Sequence, residues 1–171
     1  MLQVSLLVFV SYLIRYAVTK DPQVKKEAWK TFEALEMLET LTPIPGLLAR
    51  TFGFANDSKL GKNNITSAFL MYIVGPNWHN STTNPEYKWM SDISSDDVTG
   101  YMFAYGITFD LLAETPGEKS RVQRIIQTTT EYIVKNNFVE MDVTGERTRW
   151  GVWAPEYMYA KSTVLYLYMK K

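Results

Sequence analysis

Val98-Thr99-Gly100-Tyr101-Met102-Phe103-Ala104-Tyr105-Gly106-Ile107-Thr108-Phe109-Asp110-Leu111-Leu112 is apolar on nearly every face. Thr115-Pro116-Gly117 then turns the chain, and Val122, Ile125, Ile126, Thr129 and Ile133 repeat at helical spacing with charges between them. A helix that is apolar all round must be covered on all sides, whereas an amphipathic one lies outside. The first stretch therefore reads as an inner helix over Ser94–Glu114 and the second as an outer helix over Pro116–Asn136. A turn this short makes them an antiparallel hairpin.

Upstream, the pattern repeats. Met1–Thr19 is apolar on most faces, and Asp21–Leu41 is amphipathic through Val24, Ala28, Phe32, Leu35 and Leu38. Asp21 suits an N-cap and Pro22 the first helical position. A last apolar and aromatic helix is expected over Glu156–Met169. The order inner, outer, inner, outer, inner predicts an all-α fold: antiparallel helical hairpins in two layers, a partial α/α toroid. Connections from each outer helix to the next inner one emerge at one end, and these are long: residues 42–93 and 137–155. Val143-Thr144-Gly145-Glu146 inside the second reads as the turn of a small β-hairpin. The first is read as surface loop.

Lys+Arg and Asp+Glu stand at 18 each in a chain of 171 residues. Such a balance, without basic runs, points away from nucleic acid as a partner. There is no cysteine, which removes disulfides and thiolate chemistry. Met1–Val18 lacks a basic n-region and a small-residue cleavage site, and its polar residues leave too short an apolar run to span a membrane. It reads as a buried helix. N-glycosylation acceptors at Asn56, Asn64 and Asn80 fall in the 42–93 stretch and suggest a secreted or lumenal chain.

Two loop stretches hold the candidate site. In Trp89-Met90-Ser91-Asp92-Ile93-Ser94-Ser95-Asp96-Asp97, the carboxylates Asp92, Asp96 and Asp97 offer an acid and a base at the start of an inner helix, with Tyr101 one turn on. The same residues read equally as a helix start, with Ser94 and Asp97 forming a capping box. In Arg147-Thr148-Arg149-Trp150-Gly151-Val152-Trp153-Ala154-Pro155-Glu156, Trp150 and Trp153 offer flat faces for a sugar ring, and Arg149 and Glu156 offer directed hydrogen bonds. The alternative is that the tryptophans plug the end of the helical layer and Glu156 caps a helix. Trp89 and His79, the only histidine, complete the set. A lone histidine provides no metal pair, and no phosphate-loop, dinucleotide or zinc-hydrolase motif is present. No cofactor and no metal are expected.

Ser91-Asp92-Ile93-Ser94-Ser95-Asp96-Asp97-Val98-Thr99-Gly100-Tyr101 and Arg149-Trp150-Gly151-Val152-Trp153-Ala154-Pro155-Glu156 together resemble the six-hairpin, (α/α)6-toroid glycosidase-like class. The resemblance implies a glycoside hydrolase or polysaccharide lyase, although the catalytic pair of no single characterised family is matched. It also implies that residues 1–171 form one domain that is a segment of a larger ring, with further hairpins or a partner over the apolar terminal helices. Two alternatives stand beside a carbohydrate-active protein: a non-catalytic extracellular binding module and an incomplete, inactive fragment.

Overall fold

The computed structural model describes residues 2–58, 60 and 78–153. Its first hairpin joins α1 (Leu2–Thr19) to α2 (Pro22–Thr40), and its second joins α3 (Ser95–Leu111) to α4 (Pro116–Lys135). Each start is built from its own residues. The Asp21 carboxylate accepts from the Gln23 N–H at 2.8 Å ahead of Pro22. Ser94 with Asp97 and Thr115 with Glu118 form complete capping boxes on α3 and α4. Such caps satisfy backbone donors that a first helical turn otherwise leaves unpaired.

α1 packs against α2 and α3, and α3 packs against α4. Phe9 and Leu13 of α1, Phe32 of α2, and Met102 and Tyr105 of α3 share one buried core. Phe32 and Tyr105 meet edge to face at 6.1 Å, and the Tyr105 hydroxyl donates to the Leu35 carbonyl at 3.2 Å. Full burial of an apolar side chain contributes roughly 1.5–3 kcal/mol, so the shared core binds the two hairpins to each other. Long polar side chains join α2 to α4. Arg121 pairs with Glu36, and Arg124 reaches Glu39 at 2.8 Å. Glu39 is buried, and its other oxygen accepts from Thr128 at 2.9 Å and from the Gly46 N–H at 3.4 Å.

The two helix–helix turns lie side by side. Lys20 and Lys25 of one pair with Glu114 of the other at 3.1 and 2.9 Å, and Lys25 also reaches Glu118 at 3.1 Å. Hydrogen bonds from Lys25, Tyr16 and Lys20 hold the Glu114 carboxyl down to about 2. With both turns at one end, α2 and α4 finish and α3 begins at the other. Both long connections therefore converge there, and both carry sheet.

This corrects the all-α expectation. The described residues hold two antiparallel sheets beside the four helices, so the protein is a mixed α/β fold and not an all-α toroid. β1 (Thr51–Phe54), β2 (Trp78–Asn80) and β3 (Tyr87–Met90) form one sheet in the order β1-β3-β2. The central β3 pairs Trp89 with Phe52 on one side and with His79 on the other. Phe54 stacks on Tyr87 at 5.1 Å and His79 on Trp89 at 4.7 Å. Cross-strand aromatic pairs of this kind stabilise strands too short to stand out by alternation. The second sheet, β4 (Val139–Met141) with β5 (Arg147–Val152), is the hairpin expected in the 137–155 connection. The helix expected over Glu156–Met169 lies outside the described residues, as do Glu156 and Asn64.

Among the described residues no helix is long and apolar enough to cross a membrane. α1 leaves Val8, Ile14 and Val18 exposed, and α3 leaves Phe103 exposed.

The 43–46 turn seats Gly46 at φ +82° directly against α4, where a Cβ would stand 2.2 Å from the Thr128 carbonyl oxygen. Gly46→Ala is therefore expected to cost roughly 2 kcal/mol or more, read as a lower urea midpoint with an unchanged slope. A wild-type midpoint would show that this turn is not packed on α4.

Candidate functional site

Asp92 sits between β3 and the Ser94 cap of α3, buried and at φ +60°. Asp is one of the few side chains that enter this left-handed region readily. Its carboxylate takes Arg149 three ways. Oδ1 accepts the Arg149 backbone N–H at 2.9 Å, and Oδ2 accepts from Nε and Nη2 of the same guanidinium. The Asp92 carbonyl accepts from Arg50 Nη1 at 3.0 Å, and Arg50 Nη2 lies 3.7 Å from Asp97. Arg50 leads into β1 and its backbone N–H donates to the Met90 carbonyl at 2.8 Å. One carboxylate thus ties the three-stranded sheet, the start of α3 and β5 together.

The other acids divide. Asp97 Oδ2 accepts from the Ser94 hydroxyl at 2.7 Å and the Ser94 N–H at 3.3 Å, closing the cap. Asp96 is exposed on the same first turn. Tyr101 is buried and donates to the Arg50 carbonyl at 3.2 Å. Burial, with Asp97 adding to it, pushes its phenol well above the usual range. Trp89 is also buried, and the His79 ring that stacks on it has Nε2 3.2 Å from Ser91 Oγ. Trp89 and Tyr101 therefore show their faces to the protein's own core and not to solvent.

Trp150 of β5 and Trp153, one residue past its end, separate completely. Trp153 is 4% exposed and Trp150 is 69% exposed. They stand three residues apart, so alternation sends them to opposite faces, and the pairing explains why Arg149 joins Trp150 on the outer one. Val139 pairs with Val152 and Met141 with Arg147, so β4 advances two residues where β5 advances five. The surplus bulges out of β5 and breaks its alternation. Thr148, Gly151 and Trp153 are buried, while Arg149 and Trp150 are both exposed, side by side. Bulges re-aim side chains in this way at strand edges and sites. Gly151 is required there, because a Cβ would stand 2.1 Å from Thr148 Oγ1 and 2.6 Å from Glu140 Cβ.

Of the glycosylation candidates, Asn56 and Asn80 are exposed.

Two residues of this region were not singled out by sequence reading. Arg50 follows an apolar run at the end of a connection, and no local pattern marks it as a partner of Asp92. Glu140 of β4 is 2% exposed and accepts from the Trp153 indole N–H at 3.1 Å. Burial raises its carboxyl to about 7, against the opposing effect of the indole hydrogen bond. Its strand alternates weakly over three residues, so its inward direction is unreadable without β5.

No protein-family model, no curated protein and no solved structure matches the chain.

Glu140 gives the protein a pH dependence of definite sign. Its folded carboxyl holds a proton up to about pH 7, whereas the unfolded one releases it near 4.5. Between those values the folded state binds more protons, so stability falls as pH rises through that window and is level on either side. A displacement of this size corresponds to roughly 3 kcal/mol. Glu140→Gln keeps an acceptor for Trp153 and carries no charge, so it should abolish this decline and melt above the wild type at pH 8. Parallel melting curves for the two proteins from pH 4.5 to 8 would refute the assignment.

The second expectation concerns Asp92. Asp92→Asn retains a residue suited to positive φ but leaves the Arg149 guanidinium without its counter-ion. A loss of about 3 kcal/mol is expected from denaturant titration, and Asp92→Ala should lose more because of the added backbone strain. Equal stability of Asp92→Asn and the wild type would show that the ion pair is not closed in solution.

Proposed function

We propose that this chain is a non-catalytic glycan-binding module whose contact surface is the β5 bulge. The observation that carries the reading is Trp150, 69% exposed next to an arginine whose guanidinium is held by Asp92. An exposed tryptophan offers a flat apolar face with a donor at its edge, suited to the face and hydroxyls of a pyranose ring. The Asp92 contacts hold Arg149 and the strand beside Trp150 in place before any ligand arrives, which lowers the ordering cost of binding. Arg147 and Val152 extend the same exposed strand.

Binding is favoured over turnover because two of the three candidate acids among the described residues are engaged in structure, the third being the exposed Asp96. Asp92 is committed to Arg149 with both oxygens, and Asp97 to Ser94 and Arg50. General acid–base work on a glycosidic bond needs two carboxyl groups that can reach it from either side. The exposed positions of Asn56 and Asn80 support a secreted or lumenal setting for such a module.

The test is a glycan array probed with the full chain, followed by titration of the best oligosaccharide against wild type and Trp150→Ala. Truncating an exposed stacking face is expected to weaken binding about tenfold while leaving the melting temperature unchanged. Retention of full affinity by Trp150→Ala, or an array on which nothing is held, would end this reading. Hydrolysis or elimination of the bound oligosaccharide would replace it with an enzymatic one.

A further inference from the structure

At the far end of the β4–β5 hairpin, its turn stands away from α4 and leaves a cleft of about 590 Å³. That is within the range of small-molecule sites. One wall is a single stripe of α4, Thr128, Glu131, Tyr132 and Lys135, at the spacing that puts residues on one helix face, continued by its C-cap Asn136. The facing surfaces are Ile44 and Pro45 from the 43–46 turn, and Met141 and Val143 from the hairpin.

The cleft is held open by bonds that do not depend on a ligand. Tyr132 donates through its hydroxyl to the Met141 carbonyl at 2.9 Å, fixing the hairpin to the helix. On the other side Gly46 is seated against the Thr128 carbonyl and anchored to Glu39. The turn of the hairpin is closed by Gly145 N–H to the Asp142 carbonyl at 2.9 Å.

Its charges are unequal. Glu131 and Asp142 line it with carboxylates, and α4 ends there, presenting the negative end of its dipole. Lys135 is the single opposing cation in the lining. The apolar facing surfaces and the net negative rim complement a ligand with an apolar body and one positive charge.

We infer that the cleft between α4 and the β4–β5 turn is a binding site for a small organic cation of the arylalkylamine type. The aryl group occupies the space among Ile44, Pro45, Met141 and Val143, and the ammonium faces Asp142 and Glu131. This site is separate from the Trp150 surface and does not require that surface to bind glycan.

The test is isothermal titration and heteronuclear NMR of the full chain with benzylamine, against benzyl alcohol and benzoate as neutral and anionic analogues. Benzylamine should bind saturably, with shifts confined to residues 44–46, 128–136 and 141–145, and more tightly than either analogue. Removing one carboxylate by Asp142→Asn or Glu131→Gln should weaken it about fivefold, the scale of one partly exposed charge pair. Lys135→Gln should tighten it by a similar factor. Glu131 is exposed on the helix, so Glu131→Gln keeps the test sound if the turn variant folds poorly. Equal binding of benzyl alcohol or benzoate, insensitivity to both carboxylate variants, or shifts located elsewhere would overturn the assignment. Trp150→Ala should leave benzylamine binding intact.

Discussion

A carboxylate withdrawn from water must be answered by a cation or by several donors, and Asp92 is held from two segments of the chain. Arg149 meets both of its oxygens and Arg50 takes its carbonyl. Those contacts come from β5 and from the entry to β1, while Asp92 itself joins β3 to the cap of α3. Removing charge from water costs several kcal/mol per ion, and the pair repays it only when geometry and remaining hydrogen bonds are satisfied together. The loops at this end of the helices are thus compelled into one arrangement. The placing of Arg149 beside Trp150 is a consequence of that arrangement.

Three buried carboxylates among the described residues differ in their partners. Asp92 has a guanidinium on one oxygen and a backbone N–H on the other. Glu39 is shared among Arg124, Thr128 and Gly46, and it joins the two outer helices where no apolar stripe does so. Glu140 accepts from one neutral indole. A single neutral donor does not offset burial, and the Glu140 carboxyl rises to about 7. Through Trp153 and the buried side of β5, that proton is linked to the strand whose other side carries Arg149 and Trp150.

The helices were legible because every signal about them is local. Asp21-Pro22 and Ser94 through Asp97 announce starts within four residues, and the apolar spacing of Phe32 or Ile125 repeats inside a single element. The hairpin at Gly145 was legible for the same reason. The three-stranded sheet was not. Trp78–Asn80 and Tyr87–Met90 are too short for alternation to accumulate, and β1 lies far from β3 in sequence, so their pairing is a nonlocal event with no local mark. Glycosylation acceptors in the same connection reinforced a loop reading, although exposed loops and edge strands are equally open to such motifs. Reading the whole connection as loop is what made the fold look all-α.

The candidate site divides along the same line. Chain chemistry alone made the two stretches stand out, through carboxylates at a helix start and paired tryptophans before Pro155. Which of those residues face outward was decided by tertiary structure. Trp89 is drawn inward as the centre of a sheet whose other strands come from elsewhere in the chain. Trp150 and Trp153 stand three residues apart, so alternation parts them, but only the packing of β4 decides that Trp153 is the one turned inward onto Glu140. Local propensity determined where helices begin and end. Burial, charge pairing and strand register, which exist only once distant segments meet, determined what the surface presents.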